Sequence, residues 1–172
     1  KELSEVAKEL GVSEKEAAEE LCPGGAIFFD MDEKDVRRIL SHPKTMIGSD
    51  GLPSDTHPHP RLWGTFPRVL GYYVRDVKLF GLEEAVRKMT SLPAACFGIK
   101  DRGILKSGNY ADLVIFDPKK IADTATFEEP ISHAIGIDQV MVNGRVVWED
   151  GKHTGNRPGR SLLLQDLTNF HF

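Results

Sequence analysis

Apolar positions recur at helical spacing from the start of the chain: Leu3, Val6 and Leu10, then, past Gly11-Val12-Ser13, Ala17, Ala18 and Leu21. Ser13 followed by Glu16 has the spacing of a capping box, which predicts a second helix beginning there and closing at Cys22-Pro23-Gly24-Gly25. The pattern then changes. Ala26-Ile27-Phe28-Phe29 is a short continuous apolar run, as a strand buried on both faces of a parallel sheet requires. Asp32 is placed to cap a helix through Leu40, with Val36, Ile39 and Leu40 on one face and acidic residues in the first turn. Pro43 ends it, and Thr45-Met46-Ile47 predicts the next strand. Strand, helix and strand at this spacing predict a βα unit of a parallel sheet.

Two further helices are predicted over Val69–Phe80 and Leu82–Thr90, the second with Leu82, Val86 and Met89 on one stripe. Pro93 suits the first turn of another short helix, which Gly98 can terminate. Beyond it the period shortens. Asp112–Phe116, Gln139–Val142 and Arg145–Trp148 are β-branched runs bounded by turns, and Asn143-Gly144 between the last two is a strong hairpin signal. From about Gly103 onward the chain predicts a small β element appended to an α/β region.

Candidate chemistry concentrates at Gly48-Ser49-Asp50-Gly51-Leu52-Pro53. There a strand-type run ends at small residues, then a carboxylate, then Gly and Pro that forbid further pairing. Such a position, at the carboxyl end of a strand, is where α/β folds place catalytic groups. Ser-Asp-Gly is also ordinary turn composition, so turn and catalytic roles for Asp50 both stand on the triplet. The stretch that follows, Asp55-Thr56-His57-Pro58-His59-Pro60-Arg61-Leu62-Trp63-Gly64-Thr65-Phe66-Pro67-Arg68, is expected to be a long irregular loop, proline-stiffened and aperiodic, as functional loops in compact domains are.

Composition narrows the classes. At 172 residues the chain has room for a core, and its net charge of −4 argues against nucleic acid as the principal partner. No apolar run approaches the roughly 20 residues that span a bilayer, and the charged opening is unlike a signal peptide. Cys22 and Cys96 stand far apart, so free thiols in a reducing cytoplasm are expected. The chain opens on Lys1, and is expected to be a piece of something longer.

Two segments carry a family resemblance. Gly103 through Asp117, with Asn109-Tyr110-Ala111-Asp112-Leu113-Val114-Ile115-Phe116 at its centre, resembles the closing signature of the amidohydrolase superfamily, and Val140–Val147 resembles the strand pair that follows it there. Gly48–Pro53 with His59-Pro60-Arg61-Leu62-Trp63-Gly64-Thr65-Phe66-Pro67-Arg68 resembles the D-aminoacylase branch, the N-acyl-D-amino-acid deacylases; Phe127–Pro130 and Gly155–Arg160 also fit. The resemblance implies the last two βα units of a metal-dependent (β/α)₈ barrel of TIM type over residues 1–102, with Ala26–Phe29 and Thr45–Ile47 as its last two strands. Residues 103–172 would then be part of a small composite β-sandwich domain.

The same resemblance implies hydrolysis of N-acyl-D-amino acids by metal-activated water in the full-length parent. Asp50 would be the proton-transferring catalytic residue and a candidate metal contact, Arg61 the partner of the substrate α-carboxylate, and zinc the cofactor with its other ligands upstream. This chain alone is then expected to be inactive, and to self-associate or to need the missing barrel portion. Two alternatives stay open: a cyclic-amide hydrolase of the hydantoinase or dihydroorotase kind, and a non-catalytic remnant acting as an association module. His57-Pro58-His59 spells a metal-binding His-x-His, but its proline-bound backbone does not present both rings to one side as a strand would. His42 reads as a surface or capping residue, and His133, His153 and His171 as solvated or packed. Trp63, Phe66 and Tyr72 are expected to pack the loop, with a place for one of them in the acyl pocket left open.

Overall fold

The computed structural model describes residues 1–53 and 56–162, so Asp55 and His171 lie outside the described residues. The chain divides into two compact units, Lys1–Asp32 and Glu33–Phe172.

In the first unit, α1 (Leu3–Leu10) and α2 (Glu14–Glu20) form a short helical pair. Gly11 ends α1 in the left-handed conformation, and the predicted capping box opens α2. The Glu16 backbone N–H donates to Ser13 Oγ (3.3 Å) while the Ser13 backbone N–H donates to Glu16 Oε2 (2.9 Å). Those bonds to Ser13 also hold the Glu16 carboxyl below its ordinary pKa.

The second unit holds α3 (Glu33–Ser41), α4 (Arg61–Arg68), a π-helix (Val69–Asp76), α5 (Leu82–Met89) and α6 (Ser91–Cys96). It also carries a sheet of β1 (Leu113–Phe116), β2 (Ile137–Val142), β3 (Arg145–Glu149) and β4 (Lys152–His153). All three sheet pairings are antiparallel, in chain order. Asn143 and Gly144 both have positive φ, +48° and +75°, which is what the tight connection of β2 to β3 demands. Asp150-Gly151, at +52° and +73°, closes β3 onto β4 in the same way.

The core of this unit is Val69, Tyr73 and Ala85, with Val36, Leu40 and Ile47 packed against it. Helix α4 carries Pro67, which cannot donate to a carbonyl one turn back. The helix widens after it, and Val77 N–H donates to Tyr72 C=O, five residues back (2.8 Å). The expected helix over 69–80 is thus present as a π-helix ending at Asp76. The wide turn leaves Tyr72 Oη accepting from Arg37 (3.1 Å) and Tyr73 Oη donating to Glu33 (3.4 Å).

The two strands expected at Ala26–Phe29 and Thr45–Ile47 do not form. A strand exists only by pairing with a neighbour, and neither run has one among the described strands. Thr45–Ile47 is held by a helix instead. The fully buried Lys88 of α5 donates through Nζ to the carbonyls of His42 (2.5 Å) and Thr45 (3.2 Å), and Ile47 N–H donates to Lys88 C=O (3.2 Å). Glu84 lies 3.5 Å from the buried ammonium and balances its charge. Phe28 and Phe29 stay largely exposed.

Candidate active site

Asp50 stands where the Thr45–Ile47 segment gives way to the loop, with φ +49°, a backbone conformation uncommon outside glycine, asparagine and aspartate. The turn is tight. Gly51 N–H donates to Ser49 Oγ (3.3 Å), and a Cβ at Gly51 would sit 2.8 Å from Leu62 Cα. Glycine there lets the first turn of α4 come down onto the loop. The Ser-Asp-Gly composition is therefore a turn, and the turn is what presents the carboxylate.

Arg61, the first residue of α4, holds Asp50 at two atoms. Its Nε donates to the Asp50 carbonyl (2.8 Å), and its Nη2 pairs with Asp50 Oδ2 (2.9 Å). The two predicted site residues, eleven positions apart, are thus brought into one charge-assisted contact. The Asp50 side chain remains 82% exposed, so the pair is an open surface and not a buried salt bridge.

The histidines of the loop turn to different partners. His57 Nε2 lies 2.8 Å from the Phe127 carbonyl, and His59 Nδ1 accepts the Arg61 backbone N–H at 3.0 Å. The His59 ring also meets Phe127 edge-on, centroids 5.2 Å apart. Burial first, and then the Arg61 charge, hold the His59 pKa below its ordinary 6.5, against a smaller opposing pull from Asp50. The neutral ring keeps Nδ1 an acceptor.

Trp63 packs on His133, and Tyr72 on Tyr73 and the core; Phe66 is more exposed, and lines an apolar cavity between α4, α5 and the sheet. Trp63 lies 4.9 Å from the ring of His133, which lies 4.7 Å from Trp148. His133 is therefore a packing element between helix and sheet. Arg68 pairs with Asp123 (3.2 Å) and stacks over Tyr72, while Arg75 donates to the Ile121 carbonyl (2.6 Å). Sequence reasoning missed the Lys88 clamp and the Arg102 cluster, in which Arg102 pairs with Asp112, donates to Asn143 Oδ1 (2.6 Å) and stacks on Tyr110. Only the position of Lys88 on the buried side of α5, one turn after Ala85, could have signalled the former.

A catalytic zinc takes three protein ligands. Among the described residues no three or more His, Cys, Asp or Glu side chains converge in a way that could hold a metal. Asp50 is a lone donor, and the nearby imidazole nitrogens described above face a carbonyl and an amide. These residues by themselves do not fit a metal centre.

The chain belongs to the amidohydrolase family, whose model matches residues 12–148. It is similar to D-aminoacylase of Alcaligenes xylosoxydans xylosoxydans, 59% identical over 162 residues, covering 94% of this chain and 34% of that protein. It is also similar to N-acyl-D-aspartate deacylase of the same organism, at 55% over 167 residues, 96% of this chain and 33% of the relative. The chain thus spans about a third of the length of these relatives.

Solved structures agree. A D-aminoacylase studied for its binuclear metal centre superposes with a TM-score of 0.85 at 60% identity, over 91% of this chain and 33% of that one. An N-acyl-D-glutamate deacylase from Bordetella bronchiseptica, complexed with zinc and a phosphonate mimic of the tetrahedral intermediate, gives 0.83 at 51%, over 87% of this chain and 32% of that one. The structural neighbours are therefore metal-centre amidohydrolases.

Proposed function

We propose that the whole protein containing these residues hydrolyses the amide bond of N-acyl-D-amino acids, yielding a D-amino acid and a carboxylate. The observation that carries this reading is the contact of Arg61 with Asp50, which sets a general base beside a carboxylate-binding fork. Asp50 takes a proton from the attacking water at a carboxylate oxygen and passes it to the nitrogen of the leaving amine. Arg61 receives the substrate α-carboxylate, for which a planar guanidinium is the fitting partner. Zinc is the cofactor proposed for the whole protein, with Asp50 a candidate contact and the other ligands mostly upstream of this chain; none of the described residues forms a metal-binding cluster. Residues 1–102 then belong to the carboxy-terminal part of a (β/α)₈ barrel and 103–172 to a small β domain. The chain alone is inactive.

The test is a cycle in the whole protein: wild type and Arg61→Lys, each with an N-acyl-D-amino acid and its carboxamide. An ammonium keeps the charge but loses the fork. One charge-assisted hydrogen bond contributes about 1.5–3 kcal/mol, so kcat/KM on the acid should fall about tenfold or more. The carboxamide should lose less, because only the grip on Asp50 is weakened for it. Equal losses on both would remove the carboxylate-reading role and favour a cyclic-amide substrate.

A further inference from the structure

We propose that His59 is a positioning residue for the Arg61–Asp50 pair, fixing through Nδ1 the backbone from which the guanidinium is presented. The proposal rests on the reading of Arg61 as the carboxylate partner. Its geometry does not. The first backbone N–H groups of a helix have no partner within it and are met by side chains or water. Here the first N–H of α4 is that of Arg61, and Pro60 before it brings no side-chain acceptor. His59 Nδ1 supplies one at 3.0 Å, two residues back.

The imidazole is itself held. Its edge-on contact with Phe127, planes at 79°, docks it on the segment that also meets His57 through the Phe127 carbonyl. Docked in this way, the ring directs Nδ1 at the Arg61 main chain. From that main chain the guanidinium reaches Asp50 at both its carbonyl and its carboxylate. Three groups thus form one chain of contacts: imidazole to amide, guanidinium to carbonyl, guanidinium to carboxylate. Loss of the first loosens the presentation of the other two while leaving both charges in place.

Side-chain geometry makes this testable. Asparagine carries an oxygen as many bonds from Cα as Nδ1 is, so His59→Asn can restore the acceptor. In His59→Gln the oxygen stands one bond further out, where Nε2 was. His59→Phe keeps a ring for Phe127 and has no acceptor. Each is made in the whole protein and checked for native circular dichroism and melting. Steady-state kinetics on the N-acyl-D-amino acid and its carboxamide are then compared, with backbone hydrogen exchange across residues 48–62.

We expect His59→Phe and His59→Gln to raise KM for the acid about two- to tenfold, as loss of one hydrogen bond implies. The carboxamide should change less, and exchange at the Arg61 amide should quicken. His59→Asn should recover most of both. Acid and carboxamide shifting equally in His59→Phe, where Arg61→Lys discriminates between them, would overturn the proposal. So would equal behaviour of the Asn and Gln variants. If Arg61→Lys itself fails to discriminate, the carboxylate reading falls. The positioning role is then decided by exchange at the Arg61 amide, and an unchanged rate in His59→Phe would overturn it.

Discussion

The sheet and the carboxylate-bearing loop were built by different rules. The β2–β3 and β3–β4 pairings are closed by neighbours close in sequence, through Asn143-Gly144 and Asp150-Gly151, and β1 joins them across residues 117–136. The segment leading to Asp50 has no such neighbour. It is held by side chains from elsewhere: Lys88 from α5 on its backbone, Arg61 from α4 at its tip. Local turn chemistry makes structure that a short chain can complete. A site assembled from distant elements depends on each of them, and a fault in any one reaches the carboxylate.

The sharpest break in that contrast is Asp50→Asn in the whole protein. It should leave the fold and substrate binding in place while the deacylation rate falls by roughly 100- to 10,000-fold, the scale of lost acid–base catalysis. Activity within a few-fold of wild type would take Asp50 out of the chemistry. Gly51→Ala tests the loop without touching a charged group. Its new methyl would meet Leu62 Cα at 2.8 Å and push α4 away from the turn. Displacements on the order of 1 Å cost about 100-fold in rate, so kcat should fall by up to that factor with little change in sheet stability.

Gly144→Val is the converse. A β-branched residue at φ +75° costs about 1–2 kcal/mol, read as a lower denaturation midpoint, with kcat of the folded protein unchanged. A comparable loss of kcat would show that sheet and site are coupled.

The smallest effect is in pH. His59 has a depressed pKa in the folded state, so the stability linked to its neutral ring is whole above 6.5 and drains as pH falls through the folded value. Glu84 is held at about 2, chiefly by its hydrogen bonds from Arg87, against burial and with help from the Arg87 and Lys88 charges. Its contribution is present above 4.5 and is lost as pH falls toward 2. Thermal melts across pH should show two separate declines, one below 6.5 from the loop and one below 4.5 to which Glu84 of α5 and Glu16 of α2 both contribute. A melting temperature flat between pH 7 and 5 would detach His59 from stability.

The same division explains what the sequence disclosed. The Ser13 capping box and the Asn143-Gly144 hairpin are local devices whose residues sit beside the structure they make, and both appear where expected. Asp150-Gly151 follows the same rule and was there to be read. Ala26–Phe29 and Thr45–Ile47 have strand composition, but composition states a preference and pairing needs a partner. The stretch through Arg68 reads as irregular loop, yet α4 begins at Arg61 and runs through Pro67 into a π-helix, because its prolines and aperiodic composition mask a helix that tertiary packing completes. Asp50 and Arg61 were legible as candidates, and their contact was not: nothing in residues 51–60 between them indicates that a guanidinium folds back onto the carbonyl of its own counter-ion.

The stack of Trp63, His133 and Trp148 has a practical consequence. The sequence contains only two tryptophans, and both lean on the same imidazole from opposite elements. Intrinsic fluorescence of this chain is therefore a spectroscopic gauge of one seam, where α4 meets the sheet, and is silent about α1 and α2. Far-ultraviolet dichroism weighs all the helices together. Unfolding followed by the two signals at once tests whether this seam parts in step with the helices: coincident curves mean a single cooperative transition, and separated curves mean that the sheet lets go on its own.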